Sequence, residues 1–299
     1  MKNDVRKYLN PEIVSRISRL DLIARLVVEG FITGLHRSPY HGFSVEFSEY
    51  RPYNPGDPRR HIDWKVWGRT DRYYVKQFEE ETNLRGYLLL DTSASMAYGS
   101  GSVTKLHYAV MLASALSYLL LRQRDAVGLA TFDQKLRHYL PPRSVFSTLH
   151  RLLKAMDSVK ASGKTGVART FHDLAERLKK RGLIIVLSDL FDDPSSVLNA
   201  LKHFRHRKHE VIVFHILDPM ECQFAFPDDA LIVDMETGDK IRTQPWHIRT
   251  AYQQNVERFL NRFKRECLEH RIDYHPITTD TGFDKALTAY LVTRKKMGG

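Results

Sequence analysis

Three short apolar runs constrain this chain more than any other feature: Tyr87-Leu88-Leu89-Leu90, Leu183-Ile184-Ile185-Val186-Leu187 and Val211-Ile212-Val213-Phe214-His215-Ile216. Each is too short for a typical helix. Each is continuous rather than alternating, so side chains on both of its faces must leave water. Ala126–Phe132 reads as a further strand, with a short partner at 136–140. Between these runs, residues 105–122, 145–156, 170–181 and 195–205 carry apolar side chains at helical spacing. Buried strands alternating with helices predict an α/β fold, a doubly wound and mostly parallel sheet covered on both faces.

The flanks differ. Asn10-Pro11-Glu12 supplies a capping residue and a proline at the first helical position. Ile13, Ile17, Leu20, Ile23, Ala24 and Val27 follow at helical spacing up to Gly30, which predicts one continuous docking helix. Residues 38–83 read as a small β-rich module, with strands at 40–47, 61–67 and 73–78 and a proline-rich loop at 51–58. After residue 218 come strands at 230–234 and 240–243, a helix at 247–270, a strand at 273–277 and a helix from Phe283. The expected parts are an N-terminal module (1–83), an α/β domain (84–218) and a C-terminal elaboration of the same sheet (219–299).

Composition excludes several classes. Of 299 residues 42% are hydrophobic, enough for a real core and too many for a disordered or fibrous chain. The two cysteines, Cys222 and Cys267, make neither a disulfide framework nor a thiolate zinc site, and they suit a reducing compartment. The N-terminus lacks a signal-peptide pattern, and the uncharged stretch 108–121 is too short to cross a bilayer. A soluble, cytoplasmic protein without a membrane span is expected. The net charge of +11 is uneven, with +2 in residues 1–83, +9 in 84–218 and zero thereafter. Its densest run is His203, Arg205, His206, Arg207, Lys208 and His209, with only Phe204 for an aromatic neighbour. Nucleic-acid binding wants aromatics interleaved on such a face. The run reads instead as a solvated helix end, where cations suit the dipole.

Chemistry concentrates at two strand ends. The first apolar run leads into Asp91-Thr92-Ser93-Ala94-Ser95 and the second into Ser188-Asp189, while Ser162-Gly163-Lys164-Thr165 precedes a helix between them. Doubly wound sheets bind ligands at the carboxyl ends of their central strands. Carboxylates and hydroxyls are hard oxygen donors, suited to Mg²⁺ or another divalent cation of its kind rather than to zinc. With few charged ligands, such an ion stays electron-poor and keeps a position for an outside carboxylate.

The Asp-x-Ser-x-Ser cluster followed by Met96 resembles the metal-ion-dependent adhesion site of von Willebrand factor A domains. That resemblance implies ligation by Ser93, Ser95 and Thr165, with Asp91 and Asp189 acting directly or through water. A second signature precedes it: Gly42-Phe43, Val45-Glu46-Phe47, Glu49, Arg51, Tyr53, Pro55-Gly56-Asp57, Arg60 and Ile62-Asp63-Trp64-Lys65. It resembles the bacterial domain-of-unknown-function family fifty-eight, in which it leads into a von Willebrand A-like domain. Long members of that family carry N-terminal transmembrane helices, and this chain resembles the short cytosolic type. The family has no established catalytic activity, and its members are often encoded beside MoxR-type AAA+ ATPases. The function expected from the resemblance is a non-enzymatic, Mg²⁺-dependent protein-binding module. Its partner would donate an Asp or Glu carboxylate, with a MoxR-type ATPase as the candidate. Arg51, Asp57, Arg60, Asp63 and Trp64 read as a packed structural motif more readily than as a partner surface.

Other readings fit less well. A phosphate-binding loop at Gly163-Lys164-Thr165 needs a glycine where Ser158 stands. An aspartyl-phosphate enzyme wants a second acid where Ser93 stands, and the Gly-x-Ser-x-Gly elbow is absent around Ser93 and Ser95. A metal-dependent phosphodiester hydrolase using Asp91, Asp189, Asp192 and Asp193 is the runner-up, without an evident general base.

Overall fold

The computed structural model describes residues 5–35, 50–52, 68, 74–76, 84–226, 230–235 and 238–298. The strands expected at 40–47 and 61–67, and Asp57, Arg60, Asp63 and Trp64, lie outside the described residues. Within 38–83, β1 (Tyr50–Pro52) and β2 (Tyr74–Lys76) pair antiparallel.

The centre of the molecule is a six-stranded sheet. Its strands are β3 (Arg85–Asp91), β4 (Ala126–Phe132), β5 (Leu136–Arg143), β6 (Leu183–Ser188), β7 (Glu210–Leu217) and β10 (Asp273–Thr278). They lie in the order β10-β7-β6-β3-β4-β5, parallel except for the edge strand β5. Counted along the chain, the order is 3-2-1-4-5-6 from the β5 edge, so winding reverses between β3 and β6. A crevice opens there at the strands' carboxyl ends, where doubly wound sheets hold ligands. β10 joins this sheet beside β7, while β8 (Ala230–Val233) and β9 (Lys240–Thr243) form a separate hairpin. Both outer strands carry proline, Pro141 and Pro142 on β5 and Pro276 on β10.

The continuous apolar runs are explained by two cores, one on each face. Leu88, Leu90, Leu183, Ile185, Leu187, Ile212 and Phe214 pack into one core, and Tyr87, Leu89, Ile184, Val186, Val211 and Val213 into the other. The period of two divides each strand cleanly between them. The first core is closed by α2 (Leu20–Leu35), α3 (Lys105–Arg122), α4 (Thr148–Asp157) and α9 (Phe283–Gly298). The second is closed by α5 (Val167–Arg177), α6 (Pro194–His206) and the long α8 (Pro245–Glu269). α3 is buried nearly all round, between the sheet and α2. Its serines are tolerated there because Ser114 and Ser117 donate to the carbonyls of Val110 and Ala113, one turn back.

Two expectations need correction. The N-terminal helix is not continuous: α1 (Pro11–Val14) stops, and α2 restarts at Leu20. Asn10 caps α1 as expected, accepting the Glu12 N–H at 2.8 Å. The Ser15 hydroxyl then donates to the Glu12 carbonyl at 2.9 Å, offering the backbone a turn in place of helix. The second correction is an unforeseen short helix, α7 (Pro219–Gln223), directly after β7.

The basic run at the end of α6 is more engaged than a solvated helix end. Arg205 pairs with Glu210, Arg207 with Glu176, and His209 is fully buried.

Candidate functional site

The switch point brings the two strand-end clusters together. β3 and β6 pair with Leu90 opposite Leu187, so Asp91 comes level with Ser188 and Asp189 follows one residue on, at the ends of neighbouring central strands. The Ser188 hydroxyl donates to Asp91 Oδ2 at 2.5 Å, and the Ser93 N–H donates to Asp91 Oδ1 at 2.9 Å. These bonds fix the carboxylate under the loop. That loop turns through a short 3-10 segment at Ala94–Ala97, which carries Ser95 back over the strand end. The hydroxyls of Ser93 and Ser95 converge to 3.1 Å. The loop that carries Thr165 is tied to the same strand end. The Gly163 carbonyl accepts the Ala94 N–H at 2.9 Å, and the Thr92 carbonyl accepts the Ser162 N–H at 2.8 Å. Gly163 has φ +81°, and a side chain there would press on the Asp133 carboxylate, so glycine suits both constraints.

Asp189 is fully buried and already has a cation. Lys105, the first residue of α3, places Nζ 2.8 Å from Asp189 Oδ2 and 2.6 Å from Glu221 Oε1. The lysine has no exposed surface, and its ammonium lies 4.6 Å from the centre of the half-exposed Phe191 ring. Asp189 Oδ1 accepts the Phe191 N–H at 3.3 Å, across Leu190, which takes the left-handed conformation at φ 52°. A non-glycine residue there costs about 1 kcal/mol, a strain often stored at functional loops. The Asp189 carbonyl accepts from His215 Nε2 at 2.7 Å, and His215 Nδ1 in turn receives the Tyr274 hydroxyl at 2.6 Å.

Electrostatics follow from burial. Asp91 is pushed up to about 7, first by desolvation and then by the charge of Asp189, with the Ser188 and Ser93 hydrogen bonds opposing. Among the described residues no cation pairs with it. Burial works against the charge on Lys105, yet Asp189 and Glu221 together raise its pKa above the ordinary lysine value. Burial also raises Glu221, against the pull of Lys105. His215 is held down to about 4 by burial and stays neutral, with both ring nitrogens in use. It positions Asp189 and is not free to act as a base. Asp192 and Asp193, which the hydrolase reading drew on, accept the Ala168 N–H and cap α6 through the Ser196 N–H, respectively. That puts two of the four carboxylates to structural use.

The residues fit a divalent cation. Asp189 and Glu221 share the Lys105 ammonium, whereas Asp91 has no cation partner among the described residues and leads into the loop where the Ser93 and Ser95 hydroxyls meet. Hard oxygen donors around uncompensated negative charge suit Mg²⁺.

The sequence did not point to Lys105 or Glu221. Lys105 opens an otherwise apolar helix without any local sign of its partner, which lies 84 residues away. Glu221 had a readable signal. Asp218-Pro219-Met220-Glu221 is a capping box, in which Asp218 accepts the Met220 N–H and Glu221 accepts the Asp218 N–H, each at 2.8 Å. Asp218 is also held by Ser100, whose N–H and hydroxyl donate to it at 2.8 and 2.5 Å. The box therefore ties α7 to the loop that follows β3.

A doubly wound sheet with one antiparallel edge and an Asp-x-Ser-x-Ser loop at its switch point is the arrangement that the resemblance to von Willebrand A domains implies. The chain matches the family described as protein of unknown function DUF58 over residues 49–261, and it belongs to that family. Uncharacterized proteins of Mycobacterium bovis and Mycobacterium tuberculosis are 27% identical to it over 232 residues, 77% of this chain and 73% of theirs. Among solved structures it is similar to the conserved hypothetical protein BatB from Bacteroides thetaiotaomicron. That match has TM-score 0.45 and 17% identity, over 72% of this chain and 98% of that one. It is also similar to the SpRpn10 VWA domain, at TM-score 0.38 and 12% identity over 69% and 94%. Among the described residues no helix is long and apolar enough to cross a membrane.

Proposed function

We propose that this protein is a non-enzymatic, Mg²⁺-dependent protein-binding module. Asp91, Ser93 and Ser95 would hold the cation, Thr165 and Asp189 would complete its surroundings, and a partner's Asp or Glu would take the remaining position. The observation that carries the reading is the meeting of the Ser93 and Ser95 hydroxyls at 3.1 Å over a buried Asp91 that lacks a counter-ion among the described residues. Bound there, Mg²⁺ supplies a Lewis-acidic centre held by few charged ligands, which an external carboxylate neutralises. The protein's own residues orient that centre. Ser188 and the Ser93 N–H fix Asp91, and His215 and Leu190 fix the backbone that presents Asp189.

The candidate partner is a MoxR-type AAA+ ATPase, supported by the family resemblance and by the carboxylate requirement. The test is calorimetric titration of such an ATPase into the full chain, in Mg²⁺ and in chelator, with the wild type and Asp91→Ala. Binding that needs both Mg²⁺ and Asp91, and that falls when one surface carboxylate of the partner becomes its amide, supports the reading. Equal affinity in Mg²⁺ and chelator sinks the metal bridge.

A further inference from the structure

Lys105 is the least expected residue in the molecule. It is a fully buried lysine in the first turn of a helix, where the macrodipole disfavours a cation. Nothing local rewards it, so its reason is tertiary. Its ammonium bonds both Asp189, at the end of β6 in the candidate site, and Glu221 of α7, whose other oxygen accepts the Asp218 N–H of the capping box. Two carboxylates within hydrogen-bond distance of one buried ammonium make a place where charge can be handed over without exposing it.

We infer that Lys105 is a built-in counter-cation of the metal site: it holds Asp189 when no metal is bound, competes with the divalent ion for that carboxylate, and shifts toward Glu221 when the ion arrives. This inference rests on the metal reading above. It assigns the lysine two effects. Affinity for the metal is held down, because part of Asp189's charge is already spent. Cation binding is also felt at α7, because Glu221 takes a larger share of the ammonium.

The test uses the full chain and Mn²⁺ alone, titrated by electron paramagnetic resonance, with Asp91→Ala as the site control. Lys105→Met combined with Glu221→Gln removes one positive and one negative charge and leaves Asp189 unclaimed. This double variant should bind Mn²⁺ at least about tenfold more tightly than the wild type, since an opposing charge has left a buried site. Glu221→Gln alone leaves Lys105 with Asp189 as its sole partner and should weaken Mn²⁺ binding several-fold. If the lysine acted only through net charge, the double variant would bind as the wild type does, and that result overturns the inference. A second measurement needs no variant. The Lys105 ammonium is shielded from water, so its ¹H–¹⁵N resonance should be observable, and Mg²⁺ should move it. An unmoved resonance in protein that demonstrably binds Mg²⁺ also overturns the inference. Failure of the wild type to bind Mn²⁺ in an Asp91-dependent way would instead overturn the underlying metal reading.

Discussion

Changing Asp91 to asparagine should stabilise the metal-free protein while removing its proposed cation site. The carboxylate is fully buried, accepts hydrogen bonds from Ser188 and the Ser93 N–H, and is pushed from an ordinary 3.8 to about 7 by burial and by Asp189. Each pH unit between those values is worth about 1.4 kcal/mol. An acid whose folded value is raised contributes stability below its unfolded value and loses it as pH rises through the folded one. At pH 8 the ionised group therefore costs about 4 kcal/mol. At pH 5, where the folded protein still holds the proton, the cost is about 2 kcal/mol, roughly 1.4 kcal/mol for each pH unit above the unfolded value. Asparagine keeps an acceptor for Ser93 but turns an amide N–H toward Ser188, at a cost of about 1–2 kcal/mol. The expected net gain is about 2–3 kcal/mol at pH 8 and close to zero at pH 5, from these opposing terms. Urea denaturation in chelator at the two pH values measures it. Adding Mg²⁺ at a hundredfold excess over its dissociation constant should then stabilise the wild type by about 2.7 kcal/mol and Asp91→Asn by much less. A variant that is no more stable at pH 8, or equally affected at both pH values, would refute the electrostatic argument.

Other expectations follow from the same contacts. Asp189→Ala leaves the Lys105 ammonium buried beside Glu221 alone, and it should lower stability by about 3–5 kcal/mol in chemical denaturation. Full burial of both partners is what makes the expected loss large. Ser95→Ala, at a half-buried hydroxyl, should weaken Mn²⁺ binding with less than about 1 kcal/mol change in stability, as the loss of one ordinary hydrogen bond would give; an unchanged Mn²⁺ titration would remove Ser95 from the site. Burial holds the pKa of His209 below the ordinary histidine range, so its contribution is present at neutral pH and lost as pH falls through that range. His209→Gln should therefore show a smaller drop in Tm between pH 7 and pH 5 than the wild type. Arg207→Ala, which breaks an exposed pair with Glu176, should change stability by under about 1 kcal/mol and leave partner affinity in calorimetry unaltered.

What was legible in the sequence was whatever local pattern dictates. The three apolar runs became β3, β6 and β7 because a parallel strand buried on both faces cannot alternate. The limits of α3 were readable because Thr104 caps it, accepting the His107 N–H, and the polar Gln123 ends it. The placement of Asp91, Ser93 and Ser95 was readable because one loop carries all three. The partnership of Lys105 with Asp189 and Glu221 was not, since it joins three elements whose proximity only the winding of the sheet creates. The break between α1 and α2 was hidden because the apolar spacing runs straight through Ser15 and Ser18, and spacing carries no record of where a hydroxyl captures a carbonyl. The capping box of α7 was legible in Asp218-Pro219-Met220-Glu221, although the helix it opens is only five residues long.

The prolines on both outer strands set a limit on how this molecule can be joined to others. Pro141 and Pro142 on β5 and Pro276 on β10 leave both outer strands short of backbone donors. Edges without a full row of donors are poor templates for strand addition, whether by a peptide ligand or by another unfolding chain. Lateral growth of the sheet is thus disfavoured at both ends without closure into a barrel. A crowded cell can hold the protein at high concentration with less risk of edge-to-edge ribbons, and recognition is channelled to the loops at the carboxyl ends of the strands.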